Sequence, residues 1–141
     1  MAFNNGVGPL ERLNSLINNS ATMTENAGVN IIDPAHKAVM YDTDGNVVIA
    51  TSGEAAIGVI LSSSFDPIYQ GRQVHFLIKN IGLISAGGAI NKGDLITINA
   101  TGQAVVAGDG DFIFGRAFTA ATVADEAVQA QINQMGFMPA S

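Results

Sequence analysis

The sequence predicts an all-β fold, a small β-barrel of two related β units behind an N-terminal arm. Short runs of β-branched and other apolar residues alternate with Gly, Asp and Asn, which is the pattern of strands separated by turns. Hydrophobic residues make up 48% of the 141 residues and charged residues only 13%, which is too apolar for a disordered chain. The chain has no cysteine, so packing or subunit contacts must hold the fold together.

The first 30 residues are rich in Asn and are predicted to form an arm ahead of a β domain at residues 31–141. Pro9 and Glu11 suit the first turn of a short amphipathic helix, which at about ten residues needs a surface to lie on. We expect the arm to contact a neighbouring subunit or a coat protein, although it could also pack on its own barrel. The apolar residues predicted to make this contact are Phe3, Val7, Leu10, Leu13 and Ile17.

A repeated strand–turn–strand pattern dominates the rest of the chain. The turn at Asp42–Gly45 and the turn at Asn99–Gly102 each lie between two β-rich runs, which predicts two hairpins. A displacement of 57 residues superposes the two hairpins without a gap. After a three-residue deletion, Gln73–Ile78 also superposes on Ala127–Ile132. We interpret this as two related β units, although a small β-barrel could show such spacing by chance.

Glycines recur at matching positions of the two units. We predict that they occupy structural turns or bends, where the absence of a side chain is needed. The predicted turn glycines are Gly45, Gly58, Gly102 and Gly115.

Two segments are ambiguous in the sequence. Val74–Ile84 reads as a strand pair or as one long strand. Val123–Met135 has a composition that also suits a helix, but the repeat places Val128, Ala130 and Ile132 on one face of a strand. We therefore predict a strand there.

No motif for catalysis or metal binding is complete. Gly88–Gly93 has the glycine spacing of a phosphate loop, but Asp94 follows where a lysine is required. The loop that starts at Asp42 lacks the glycine and glutamate positions of a calcium loop, and a turn aspartate explains it better. His36 and His75 have no second histidine at ligand spacing. We expect no enzymatic activity, no cofactor and no bound metal.

The formal net charge is −6, which argues against nucleic acid as a partner. No apolar run approaches the length of a membrane helix, so we expect no membrane association. Apolar residues close to the C-terminus are candidates for subunit contact, although core burial would explain them equally well. These are Met135, Phe137 and Met138.

The stretch His36–Ser64, followed by Gln73–Leu83, resembles the head decoration (cement) proteins of tailed bacteriophages. The matching residues include Val-Val-Ile-Ala at 47–50 and Ala-Ala-Ile-Gly-Val-Ile-Leu at 55–61. Ile90–Val105 is similar to a segment of a second, related group of capsid cement proteins. The arm and the tail at Met135–Pro139 depart from the family pattern.

This resemblance implies a small β-barrel or β-tulip-like domain that assembles as a homotrimer. It further implies binding to the outer surface of the major capsid protein lattice, where the trimer stabilises the head against internal DNA pressure. The protein would then be found on the virion, and in the host cytoplasm during assembly. Alternatives are another virion structural component, such as a head fibre or tail protein, or a small carbohydrate-binding β domain. The last would need exposed aromatic platforms, and the chain has no Trp and two Tyr.

Overall fold

The computed structural model describes residues 21–62 and 65–140, and the elements within these ranges are all strands. The described part of the chain has no helix long and apolar enough to cross a membrane. The predicted arm helix falls outside the described residues. The strands are β1 (Thr22–Asn26), β2 (Ala38–Tyr41), β3 (Val47–Ile49), β4 (Gly58–Ile60), β5 (Gln73–Leu77), β6 (Asn80–Ser85), β7 (Leu95–Ile98), β8 (Ala104–Val106), β9 (Phe112–Ala117) and β10 (Ala127–Phe137).

The strands form two antiparallel five-stranded sheets with the same topology. Their strand orders are β1-β5-β4-β2-β3 and β6-β10-β9-β7-β8. The strands β1 to β5 therefore correspond, in chain order, to β6 to β10. The bounds of β2 and β3 map onto those of β7 and β8 with a displacement of 57 residues. We name residues 22–77 the first unit and residues 80–137 the second unit. The two related β units expected from the sequence are therefore present.

Equivalent turns in the two units use the same local chemistry. The Asp42 Oδ1 atom accepts hydrogen bonds from the backbone N–H groups of Asp44 and Asn46, both at 2.9 Å. Asn99 Oδ1 accepts the equivalent bonds from Thr101, at 2.9 Å, and Gln103, at 3.0 Å. A short side chain that can bond the backbone two residues ahead is what such a turn requires. The carboxylate of Asp42 thus shapes a turn.

The four predicted turn glycines fall into two groups. Gly45 and Gly102 lie in the hairpin turns, with φ of 81° and 78°. Gly58 and Gly115 lie inside strands β4 and β9, so their prediction as turn residues is wrong. Their glycine requirement has another cause, because a Cβ at Gly58 would overlap the carbonyl oxygen of Leu77 on the neighbouring strand. A Cβ at Gly115 would overlap the equivalent carbonyl oxygen in the second unit, that of Gln131.

The predicted closed barrel is also wrong, since each sheet keeps two edges. Each sheet curls so that its two edge strands come close together. The residue after β1 forms one parallel bridge with β3, and the residue after β6 forms one with β8. These bridges are Ala27–Val47 and Ala86–Ala104. Each pair of edge strands is joined by this single bridge and by no ladder. The units are therefore curled sheets with open edges.

The core consists of two clusters of buried side chains. The first cluster lies within the first unit and includes Val39, Val74 and Phe76. The second cluster holds the equivalent residues of the second unit and extends across the boundary to Ala38, Val59 and Leu77 of the first unit. Neighbouring strand residues face opposite sides of a sheet, so β2 directs Val39 into its own unit and Ala38 towards the other. The two units thus share one buried interface.

Three further expectations have definite outcomes. Residues 74–84 form two strands, β5 and β6, separated by two residues. Residues 127–137 form β10 with Val128, Ala130 and Ile132 all buried, so the choice of strand over helix is confirmed. Thr22–Asn26, which the prediction assigned to the arm, pair with β5. The predicted boundary at residue 30 therefore falls inside the first sheet.

Candidate interaction surfaces

The C-terminal part of β10 carries an exposed apolar group. β10 is six residues longer than its equivalent β5, and the extra length brings Phe137 opposite Phe112 of β9. The two rings meet edge to face with centroids 5.3 Å apart, yet Phe137 remains 58% exposed. Met135 is exposed as well, and Met138 is half-buried and bonded through its backbone to Asp111. These three residues, predicted as contacts from the sequence, thus lie together at one end of the second sheet.

Strand β6 forms an apolar edge of the second sheet that the sequence did not reveal. Ile81 and Leu83 are 52% and 43% exposed, and they lie two residues apart on one face of the strand. Beside them is a groove of about 210 Å³ that also contacts Leu61 and His36. An edge strand with exposed apolar side chains is a site for association with another chain.

A larger groove, of about 980 Å³, lies at the loop between β4 and β5. Two aromatic side chains open into it, Phe65 at 87% exposure and Tyr69 at 58%. Polar side chains make up most of the remaining lining: Asn26, Asp66, Arg72, Gln73 and His75. Exposed aromatic rings in a concave surface are a usual feature of a binding site.

The two histidines bond to different partners. A hydrogen bond of 2.6 Å joins His36 Nε2 and Ser62 Oγ, and one of 2.7 Å joins His75 Nδ1 and Thr24 Oγ1. Burial lowers the pKa of His36, and the neighbouring Lys37 charge lowers it further. Residues 21–62 and 65–140 contain no cluster of three His, Asp or Glu side chains placed to hold a metal ion.

Two acidic side chains are held by hydrogen bonds at the surface. Tyr41 donates its hydroxyl to Glu25, and this bond is the main cause that raises the pKa of Tyr41 to about 12. Glu126 Oε1 accepts bonds from the N–H groups of Thr122 and Val123, which lower the pKa of its carboxyl. Both arrangements fix loops and strand ends.

The predicted contact residues of the arm, Phe3, Val7, Leu10, Leu13 and Ile17, lie outside the described residues. Ile81, Leu83, Phe65 and Tyr69 were not predicted from the sequence. One signal for Phe65 and Tyr69 was available, because the gap in the repeat alignment makes the β4–β5 loop, residues 61–72, three residues longer than its equivalent at 118–126.

Comparison with known proteins gives a likeness of fold. A solved structure of the head fibre gp8.5 N base of bacteriophage phi29 superposes with a TM-score of 0.60 at 21% sequence identity. The match covers 82% of this chain and 96% of that chain. No protein-family model matches the sequence, and no curated protein does. At this identity the likeness extends to the fold alone.

Proposed function

We propose that this protein is a structural component of a phage virion, attached to the outside of the head. The observation that carries the proposal is the fold shared with nearly the whole of a head fibre base. The resemblance of residues 33–132 to capsid cement proteins supports the same location. An acidic chain, with a formal net charge of −6, suits an outer surface better than contact with packaged DNA.

Within that assignment, our first candidate function is decoration of the capsid lattice. A homotrimer placed on a three-fold position of the major capsid protein makes three equivalent contacts at once. The second and third contacts form at a high effective concentration, so modest single contacts add up to stable attachment. Bound across neighbouring capsid subunits, the trimer would resist the outward pressure of the DNA. This role needs neither catalysis nor a cofactor.

The exposed apolar surfaces provide candidate contacts for such an assembly. The end of β10, with Met135 and Phe137, and the edge strand β6, with Ile81 and Leu83, lie on the second unit. Apolar side chains at these exposures are stabilised when another subunit covers them. We assign one of these surfaces to the neighbouring copy, and residues 1–20 of the predicted arm to the capsid.

The second candidate function is the base of a head fibre. It is favoured by the name of the structural neighbour, which is the N base of a fibre. A fibre base would hold an elongated partner on the head and would contribute little to the mechanical strength of the shell.

Imaging and challenge of virus particles separate the two candidates. Particles would be prepared with and without this protein, imaged by cryo-electron microscopy, and heated while DNA release is followed with a dye. Decoration predicts density at three-fold positions and DNA release at a lower temperature when the protein is missing. A fibre base predicts density at the foot of a fibre and unchanged DNA retention. Absence of the protein from the particle, or density confined to the tail or interior, would refute both.

A further inference from the structure

The large groove beside the β4–β5 loop has a preformed shape. The loop bonds through its backbone to the segment after β1, with Ile31 and Ile68 exchanging both N–H···O bonds at 2.8 and 2.9 Å. Gln70 N–H donates to Asn30 Oδ1 at 2.8 Å, and Asp33 N–H donates to Asp66 Oδ1 at 2.9 Å. The described loop residues are therefore held along the length of the groove.

The second unit shows that the aromatic rings of this loop are not needed for the fold. Its loop at 118–126 keeps the equivalent backbone bridge, Ile90–Ala121. It is three residues shorter and is braced by the Glu126 carboxylate. Its one aromatic residue, Phe118, corresponds to Leu61, and no aromatic residue follows it in the loop. Because the same frame forms without the rings, Phe65 and Tyr69 are surplus to folding. A pair of rings left 87% and 58% exposed needs another reason.

The chemistry of the lining selects the ligand class. Arg72 and Asp66 both line the groove, so their formal charges cancel and the two side chains give the lining no net formal charge. Ile68 is buried. The apolar side chains of the lining that a ligand can reach are therefore Pro67 and the rings of Phe65 and Tyr69. Amide, guanidinium and imidazole groups surround them, and the Thr24 hydroxyl holds the His75 ring in place.

We propose that this groove binds a neutral carbohydrate chain. A sugar presents flat C–H faces that stack on aromatic rings and hydroxyl groups at its edge that pair with planar polar side chains. The volume of about 980 Å³ accommodates a short oligosaccharide. A protein partner would instead be expected to find a more apolar centre, with charged groups only at the rim. This binding activity is additional to head attachment and does not depend on it.

The test uses the full-length protein on an array of neutral and acidic oligosaccharides, followed by calorimetric titration of the strongest ligand. We expect a neutral oligosaccharide to bind. Tyr69→Ala and Phe65→Ala should each weaken that binding about tenfold or more, since each removes a stacking ring. Val123→Ala is the matched control, because Val123 is 60% exposed in the equivalent loop of the second unit and does not line the groove.

The outcomes that overturn the proposal are specific. They are the absence of any bound neutral sugar at millimolar concentration, a preference for acidic sugars, or equal loss of binding in Val123→Ala. Unchanged binding in both groove variants would overturn it as well. Circular dichroism of each variant confirms that the sheets are intact, so that loss of binding reports on the groove.

Discussion

Replacing Gly58 or Gly115 by alanine is the most direct test of the repeated architecture. Both glycines lie in central strands of their sheets, β4 and β9. Each new Cβ would overlap a backbone carbonyl oxygen of the adjoining strand, that of Leu77 or Gln131. These two carbonyls are themselves equivalent in the repeat. Backbone cannot move aside as a flexible side chain can, so the paired strands must separate.

The expected cost follows from that overlap. Overpacking of a core costs about 1–3 kcal/mol, and an obstacle made of paired backbone puts these sites near the upper value, about 3 kcal/mol. For a chain of this size about 3–4 °C of melting temperature is lost per kcal/mol, so each variant should melt roughly 10 °C below the wild type. A typical domain stability of about 5–15 kcal/mol leaves both variants folded at room temperature.

Thermal melting followed by circular dichroism measures the effect. Gly88→Ala is the matched control, because a Cβ at Gly88 meets no heavy atom within 4 Å and should change stability by less than about 0.5 kcal/mol. Melting temperatures of Gly58→Ala and Gly115→Ala that match the Gly88→Ala control would refute the close-approach explanation. A large loss at one site alone would refute the equivalence of the two units.

Three further predictions concern titration and the arm. In a Tyr69→Phe background, ultraviolet titration of Tyr41 should show a pKa of about 12, and this pKa should fall when Glu25→Ala removes the hydrogen bond. The bond favours the neutral phenol, so its stabilising effect is present below about pH 10 and disappears between about pH 10 and 12. An unchanged pKa of Tyr41 in Glu25→Ala would contradict this. The pKa of His36 is lowered, so the contribution of the neutral imidazole to stability is present above about pH 6.5 and is lost on acidification. The fall in melting temperature from about pH 7 to pH 5 should therefore be smaller in His36→Asn than in the wild type. An equal fall in both proteins would contradict this prediction. Deleting residues 1–20 should leave the melting transition in place and weaken binding to particles that lack the protein, measured by co-sedimentation; undiminished binding would remove the arm from the attachment site.

The local features of the fold could be predicted from the sequence because they depend on local chemistry. The hairpin turns at Asp42–Gly45 and Asn99–Gly102 require short polar side chains and glycine at fixed places, and the alternation in β10 requires a buried face on one side only. These signals repeat with a constant displacement, which made the two units visible. Barrel closure depends on how far each sheet curls, and no local pattern encodes that.

The candidate sites were harder to predict for the same reason. The sequence predicts strand structure for Val74–Ile84, but the place of β6 at a sheet edge depends on which strands pair. The exposure of Ile81 and Leu83 could therefore not be predicted. The groove depends on bonds between the loop around Ile68 and the segment around Ile31, which are far apart in the sequence. Only the unequal loop lengths mark the loop as different, and loop length alone does not predict a groove.

The two units also show how this fold is maintained while its sequence changes. Phe76 in the first core corresponds to Ala130 in the second, whereas Ile57 corresponds to the larger Phe114. Both phenylalanines are fully buried. The second unit therefore loses side-chain volume at Ala130 in β10 and regains it at Phe114 in β9. Cores tolerate such exchanges when total volume is kept, whereas the carbonyl contacts at the strand glycines permit no side chain. The backbone frame is therefore the part of this architecture under the tighter constraint.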